Sequence, residues 1–96
     1  MQLTSAQKRY LKQLAHHLKP LMQIGKDGVS PPFVKQLLEQ LDAHELIKLR
    51  VLNNCESTRE EIEAPLLAAD VALIQKVGHV YTVFKQRPRD SQIRLP

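Results

Sequence analysis

The sequence predicts an α/β fold with the element order α-β-α-β-α-β-β, in which helices pack on a four-stranded mixed sheet. Three stretches with the apolar period of a helix are each followed by a short strand-like run. A strand–helix–strand unit lays its two strands parallel through a right-handed crossover, so the first three strands should be parallel. The fourth strand-like run follows the third after only two residues, which is the spacing of an antiparallel hairpin.

The composition indicates one folded domain over residues 1–96. Hydrophobic residues make up 43% and charged residues 25%, a balance typical of globular rather than disordered chains. No apolar run approaches the roughly 18 residues of a membrane span, and no signal-peptide pattern opens the chain. Because the single cysteine, Cys55, has no partner for an internal disulfide, we expect a cytoplasmic protein without membrane contact.

The first predicted helix covers residues 4–18 and carries two stripes. Thr4 and Gln7 have the spacing of a capping box at its start. The apolar stripe, spaced to form one buried face, contains Leu11, Leu14, Ala15 and Leu18. The second stripe is basic, and the predicted helix contains no acidic residue to balance it. It comprises Lys8, Lys12, His16 and Lys19, flanked by Arg9 and His17. It is either an ordinary solvated face or a surface for a polyanion.

A glycine loop follows the first strand, which we expect at Leu21–Ile24 in a buried position. Ser30 and Pro31 are typical of a helix N-cap and a first helical residue. The loop should therefore lie beside the amide end of a helix, where free N–H groups and the helix dipole suit a phosphate. Glycine also leaves room for another backbone to approach. The loop, Gly25-Lys26-Asp27-Gly28, is either a plain turn or a grip on a nucleic-acid backbone.

The second helix, predicted over residues 30–43, carries a basic residue near the loop. Its inward face is apolar and comprises Phe33, Val34, Leu37, Leu38 and Leu41. Lys35 lies just over one turn inside the helix, near enough to Lys26 to share one anion. The second strand, residues 45–52, then places Lys48 and Arg50 on the same face. Two like charges on one strand face indicate either that they bind a ligand or that their side chains extend into solvent.

The third helix should begin after Thr58, which forms a second capping-box pattern with Glu61, and run to about Ala69. Pro65 lies inside this segment and cannot donate a backbone hydrogen bond. We therefore expect a kink there, or two short helical pieces.

The last two strands, predicted at residues 71–77 and 80–86, join through Gly78-His79, a pair suited to a type II′ turn. We expect only one of Tyr81 and Phe84 to reach the core. Residues 87–96 should form a basic tail.

Positive charge is concentrated at the two ends of the chain. Residues 1–35 hold six Lys and Arg against one acid, and residues 73–96 hold five against one. Residues 53–72 hold a single Arg against five acids. A polyanionic partner would contact the two ends and avoid the third quarter.

The sequence contains no catalytic or metal-binding constellation. The histidines lack metal-ligand spacing, and one cysteine cannot anchor a zinc cluster. The glutamates at 60, 61 and 63 are explained by their favourable position at a helix start. Cys55 has acids rather than bases nearby, which argues against a reactive thiolate. We expect no enzymatic activity, no metal and no cofactor.

A set of motifs in this order resembles the chloroplast RNA splicing and ribosome maturation (CRM) domain family. The most specific combination is a Gly-x-x-Gly loop followed by a His-Glu-Leu-Ile-Lys run. The length and the closing Ile93-Arg94-Leu95-Pro96 are similar to the stand-alone bacterial, YhbY-like branch. The matching segments are Thr4, Lys8-Arg9, Leu18-Lys19-Pro20, Ile24-Gly25-Lys26-Asp27-Gly28, Leu41, His44-Glu45-Leu46-Ile47-Lys48, Arg59-Glu60-Glu61-Ile62 and Val77-Gly78.

The resemblance implies a fold similar to the C-terminal domain of bacterial translation initiation factor three, and RNA contact through the Gly25–Gly28 loop. It also implies association with ribosomal RNA in precursors of the large ribosomal subunit. Two residues depart from the family pattern: Pro65 interrupts a helix, and Phe84 replaces a frequent tyrosine.

The sequence therefore predicts a non-enzymatic RNA-binding protein that assists ribosome assembly. The basic residues expected at the RNA are, besides the loop, Lys8, Arg9, Lys12, Lys19, Lys35, Lys48 and Arg50. The alternative is a protein–protein adaptor that docks a basic ribosomal protein through the acidic stretch 56–63.

Overall fold

A computed structural model describes residues 2–96 and contains the predicted seven elements in the predicted order. The strands pair as predicted, since the first two are parallel and the last two form an antiparallel hairpin. The helices are α1 (Ser5–Ala15), α2 (Pro31–His44) and α3 (Arg59–Ala68). The strands are β1 (Pro20–Ile24), β2 (Leu46–Val51), β3 (Ala72–Val77) and β4 (Val80–Phe84).

The four strands lie in the order β1-β2-β4-β3, so the hairpin inserts β4 between β2 and β3. The connections β1–α2–β2 and β2–α3–β3 advance in the same direction across the sheet. Crossovers of one hand then place α2 and α3 on the same face. The opposite face is left to α1.

The sheet consequently has a hydrophobic core on each side. One core joins α2 and α3 to the sheet through residues that include Leu37, Ile62 and Leu49. The other joins α1 to the sheet through Leu11, Ala15 and their neighbours. Because both faces are covered, Tyr81 and Phe84 are both buried, one in each core, and the expectation that only one reaches the core is wrong.

Several helix predictions are confirmed and two are corrected. Both capping boxes form, at Thr4 with Gln7 and at Thr58 with Glu61. The first helix ends at Ala15, three residues before the predicted end. Residues 16 and 17 form a turn there, and residues 18 and 19 lead into β1. The segment is not divided into two helical pieces at Pro65, since α3 is a single helix that continues through it. One missing N–H donor is tolerated there because Leu66, the next residue, is fully buried in the core.

The first strand is an edge strand, not the buried strand that the apolar run predicts. Ile24 is fully buried, but the side chain of Leu21 is 50% exposed. β1 has a hydrogen-bonded neighbour on one side only, and its register with β2 is irregular between Pro20 and Met22. Edge position rather than apolar content decides the exposure of this strand.

The segment after β4 folds back over the α1 side of the sheet. Ile93 and Leu95 pack against the α1 core, and the Gln7 side chain donates a hydrogen bond to the carbonyl of Pro96 at 3.2 Å. None of the helices within residues 2–96 has the length and apolar character required to cross a membrane.

Candidate nucleic-acid interface

The glycine loop is a tight turn that links β1 to α2. The N–H of Gly28 donates to the carbonyl of Gly25 at 3.0 Å, which closes the turn. Ser30 caps α2 as predicted, since its hydroxyl accepts a hydrogen bond from the N–H of Phe33 at 3.3 Å. Lys26 and Asp27, at the tip of the turn, are exposed.

The start of α2 has fewer free N–H groups than the sequence predicts. Pro31 and Pro32 have no backbone donor, Phe33 donates to the cap, and Val34 donates to the carbonyl of Ser30 at 2.9 Å. The donors available to an anion lie in the loop itself. Within residues 2–96, no hydrogen bond uses the backbone N–H groups of Lys26 and Asp27.

The two loop glycines differ in the space that the protein leaves for a side chain. Gly28 is buried with a φ of 64°, and a β-carbon there would overlap the hydroxyl of Ser57. Its lack of a side chain therefore serves the packing of two protein loops. Gly25 is only partly buried, and a β-carbon there would make ordinary contacts at 3.7 Å with Asn54 and Leu52. A neighbouring loop therefore excludes a side chain at Gly28 but not at Gly25.

An open groove of about 590 Å³ runs along the loop and the first turns of α2. Lys26 and Lys35 both line it and are both exposed, so the structure brings these two predicted residues to one place. The groove is not purely basic, because Asp27 and Glu39 also line it. Two cations beside exposed backbone donors form a suitable environment for a phosphate diester.

The basic stripe predicted on the first helix is divided in the structure. Arg9 and Lys12 line a groove against β3, together with His16 and Gln75. Lys8 lines a different groove, near the end of α3, beside Asp70 and Ala72. Lys19 is exposed but lies beyond the end of α1, just before β1. Neither groove shares a lining residue with the loop groove.

The basic pair on β2 lies on the α1 side of the sheet, where Lys48 pairs with Thr82 and Arg50 with Val80 of β4. Lys48 is half-buried, whereas Arg50 is exposed and lines a groove at the carboxyl end of the strand. Asn53 and His79 share this groove. Sequence reasoning missed both, although two adjacent asparagines directly after a strand are a visible signal.

The acidic stretch 56–63 is partly occupied by contacts within the protein. Glu61 accepts a hydrogen bond from the N–H of Thr58 at 2.9 Å. Glu63 accepts from Arg59 at 2.6 Å and from the hydroxyl of Tyr81 at 2.8 Å. The hydrogen bond from Arg59 is the main cause that lowers the pKa of Glu63. Within residues 2–96, no three His, Cys, Asp or Glu side chains gather closely enough to hold a metal ion.

Comparison with known families decides the kind of protein. The model of the CRS1/YhbY (CRM) domain matches residues 3–85. The chain belongs to the CRM domain family. The resemblance seen in the sequence is thereby confirmed, and the glycine loop at Gly25–Gly28 lies within the matched residues.

The relatives of this CRM domain span bacteria and archaea. A probable RNA-binding protein of Bacillus subtilis is 42% identical over 95 residues, which cover 98% of this chain and 99% of that protein. An RNA-binding protein of Haemophilus influenzae is 32% identical, covering 98% of this chain and 95% of its own length. A probable RNA-binding protein of Methanocaldococcus jannaschii is 38% identical over 93% of this chain, which spans 66% of that protein.

A solved structure matches the fold as well. The solution structure of a hypothetical protein from Staphylococcus aureus superposes with a TM-score of 0.78 at 38% sequence identity. The match covers 99% of this chain and all of that chain.

Proposed function

We propose that this CRM domain binds RNA without catalysing a reaction, and that the loop groove holds the RNA backbone. The observation that carries the proposal is the convergence of Lys26, Lys35 and the exposed backbone donors of the loop in one open groove. Two relatives are named as a probable RNA-binding protein and an RNA-binding protein, and these names support RNA as the ligand. Gly25 is the point of closest approach for the strand, since it presents no side chain to the groove.

The remaining basic residues are proposed as further phosphate contacts for a longer or folded RNA. Arg9 and Lys12 form one such patch beside β3, and Lys48 with Arg50 forms another on β2. Lys8 and Lys19 lie apart from both patches. Because these patches are separated on the surface, a short single strand would use the loop groove first.

The RNA partner is proposed to be ribosomal RNA in precursors of the large ribosomal subunit, where the protein assists assembly in the cytoplasm. Phosphate contacts supply affinity but little sequence information. A single domain of this kind therefore suits a role in which RNA shape, or the surrounding particle and its ribosomal proteins, supplies much of the selectivity. Holding or shielding an RNA segment requires no catalytic group.

RNA binding is tested by the affinity of the purified protein for single-stranded RNA across a range of salt concentrations. Each phosphate contact should contribute about −0.7 to the slope of log K against log salt. A steep slope is expected if the basic groove is the site. A nearly flat slope would contradict the proposal and favour the adaptor function of residues 56–63.

The assembly role is tested by gradient sedimentation of cell extracts, with an antibody against the protein. We expect the protein in fractions that contain immature large subunits, and its release when salt is raised. Loss of the protein should leave an excess of such particles. Its presence on translating ribosomes, or only in the free fraction at low salt, would contradict this role.

A further inference from the structure

The loop between β2 and α3 forms a second wall beside the glycine loop, and its polar side chains have no established use. We propose that Asn53 and Asn54 read base edges of an RNA strand whose backbone is held in the loop groove. This inference rests on the proposed RNA-binding function and deepens it, since it assigns sequence preference to two residues outside the Gly-x-x-Gly loop.

The first support is position. The amide oxygen of Asn54 lies 3.7 Å from the place where a β-carbon on Gly25 would stand, so this side chain borders the point of closest backbone approach. Asn53, the preceding residue, faces a second groove together with Arg50 and His79. Asn54 thus lies beside Gly25, which lines the loop groove, and Asn53 lines the groove that contains Arg50, so the two adjacent residues lie between the two grooves.

The second support is that the fold does not require asparagine at either position. The two residues are the centre of a turn closed by the N–H of Cys55, which donates to the carbonyl of Leu52 at 3.0 Å. Asparagine is favoured in turns that need a positive φ or a side-chain bond to the backbone. Neither residue has a positive φ. Within residues 2–96, neither side-chain amide makes a hydrogen bond, and both side chains are exposed.

The chemistry of the pair suits bases rather than phosphates. A carboxamide has both a donor and an acceptor, so it can match the paired donor and acceptor on the edge of a base. A phosphate offers acceptors only, and a lysine or arginine serves it better. Sequence-specific RNA recognition targets unstacked bases in single strands, whose edges are accessible. The exposed ring of His79 adds a surface on which such a base can stack.

The experiment is selection from a random pool of single-stranded RNA by the purified protein, followed by sequencing of the bound fraction. Four proteins are compared: the unmodified chain, the double variant Asn53→Ala/Asn54→Ala, Lys26→Ala and Gln92→Ala. Gln92→Ala is the matched control, because it removes an exposed amide at the opposite end of the sheet, where its backbone binds Glu45. Circular dichroism and thermal melting establish that each variant is folded.

We expect the unmodified chain and Gln92→Ala to enrich the same short motif. The double asparagine variant should lose the preference at one or two nucleotide positions, with about tenfold less discrimination between the best and worst base there. Lys26→Ala should bind less RNA overall but keep the motif, because it contacts phosphate. Discrimination that survives in the double variant, or an unmodified chain without any preference, would overturn the inference while leaving RNA binding intact. Failure of the unmodified chain to bind any RNA would overturn the proposed function and this inference together.

Discussion

The carboxylate of Glu45 accepts a hydrogen bond of 2.6 Å from the hydroxyl of Ser91, 46 residues further along the chain. Glu45 is fully buried, directly after α2, and its backbone adopts a positive φ of 64°. It also accepts hydrogen bonds from the backbone N–H groups of Arg87, Gln92 and Ile93. The Glu45 side chain thereby holds the segment after β4 in place, and this segment covers the α1 core.

Replacement of Glu45 by Gln should lower the free energy of unfolding by about 2–3 kcal/mol at neutral pH. The amide has only one acceptor oxygen, and its NH₂ group would point at backbone donors. Ser91→Ala is the milder control, since it removes a single hydrogen bond and should cost about 1 kcal/mol. Urea denaturation measures both. Equal stability of the Gln variant and the unmodified chain would contradict the fastening role.

The same carboxylate predicts a pH dependence. Burial alone would raise the pKa of Glu45, but the hydrogen bonds from Ser91 and the three backbone N–H groups outweigh it, so the pKa lies below its ordinary value. The stabilisation is therefore complete above the ordinary glutamate pKa of about 4.3 and is lost as the pH falls through the lower folded value. In the Gln variant, the stability should fall less steeply in this acid range. An unchanged acid profile would contradict the assignment.

Tyr81 should ionise late in an alkaline titration. Its burial, followed by the hydrogen bond to Glu63, raises the pKa of Tyr81 to about 12. Because folding favours the neutral phenol, this contribution to stability is present below the ordinary tyrosine pKa of about 10 and is lost as the pH rises from there. Phenolate absorbance, with circular dichroism to monitor the fold, should show a late step that is absent in Tyr81→Phe. Complete ionisation near pH 10 in the folded chain would refute this.

Gly28→Ala should destabilise the protein more than Gly78→Ala. Both glycines have a positive φ, 64° and 58°, so both variants incur a backbone cost of about 1–2 kcal/mol. Only the β-carbon at position 28 also meets a neighbour, the hydroxyl of Ser57, whereas nothing lies within 4 Å at position 78. Adding Ser57→Ala to Gly28→Ala should bring its cost down to that of Gly78→Ala. Thermal denaturation of the four proteins measures this, and no recovery in the double variant would disprove the contact.

Lys26→Ala and Lys35→Ala should each reduce the salt slope of RNA binding by about 0.7–1. Both side chains line the loop groove, where the phosphate is proposed to lie. Lys85→Ala is the matched control, since this lysine lies 3.5 Å from Asp70 at the other end of the sheet and should leave the slope unchanged. Lys8→Ala should also leave the salt slope unchanged when the ligand is a short single strand of RNA. A larger effect at Lys8 than at Lys26 would move the primary site to α1.

Replacement of Pro65 by Ala should stabilise the protein by about 2 kcal/mol. Proline inside a helix is about 3 kcal/mol less favourable than alanine, and loss of the contacts of the half-buried Pro65 ring should offset about 1 kcal/mol of the gain. The substitution restores a donor to the carbonyl of Glu61 within α3. A loss of stability on denaturation would show that the proline ring contributes more by packing than it costs.

Much of the candidate site could be read from local pattern. The turn at Gly25–Gly28, the cap at Ser30 and the proximity of Lys35 to Lys26 follow from residues close in sequence. The role of Gly28 could not be read in this way, because its neighbour Ser57 comes from another loop. The general property of helix N-termini predicts free N–H donors at the start of α2, but Pro31 and Pro32 remove two of them.

Local sequence pattern is sufficient to predict the order and type of the elements, both capping boxes and the hairpin turn, since each depends on apolar period and on residues two to four positions apart. Local pattern does not predict the strand order, the exposure of β1, the burial of both Tyr81 and Phe84, or the separation of the basic stripe into distinct grooves. These features depend on contacts between residues far apart in the chain. The clearest case is Glu45, a charged residue next to a helix end that local rules place in solvent. Four hydrogen bonds from a segment more than forty residues away, two of them at Gln92 and Ile93, compensate for its burial.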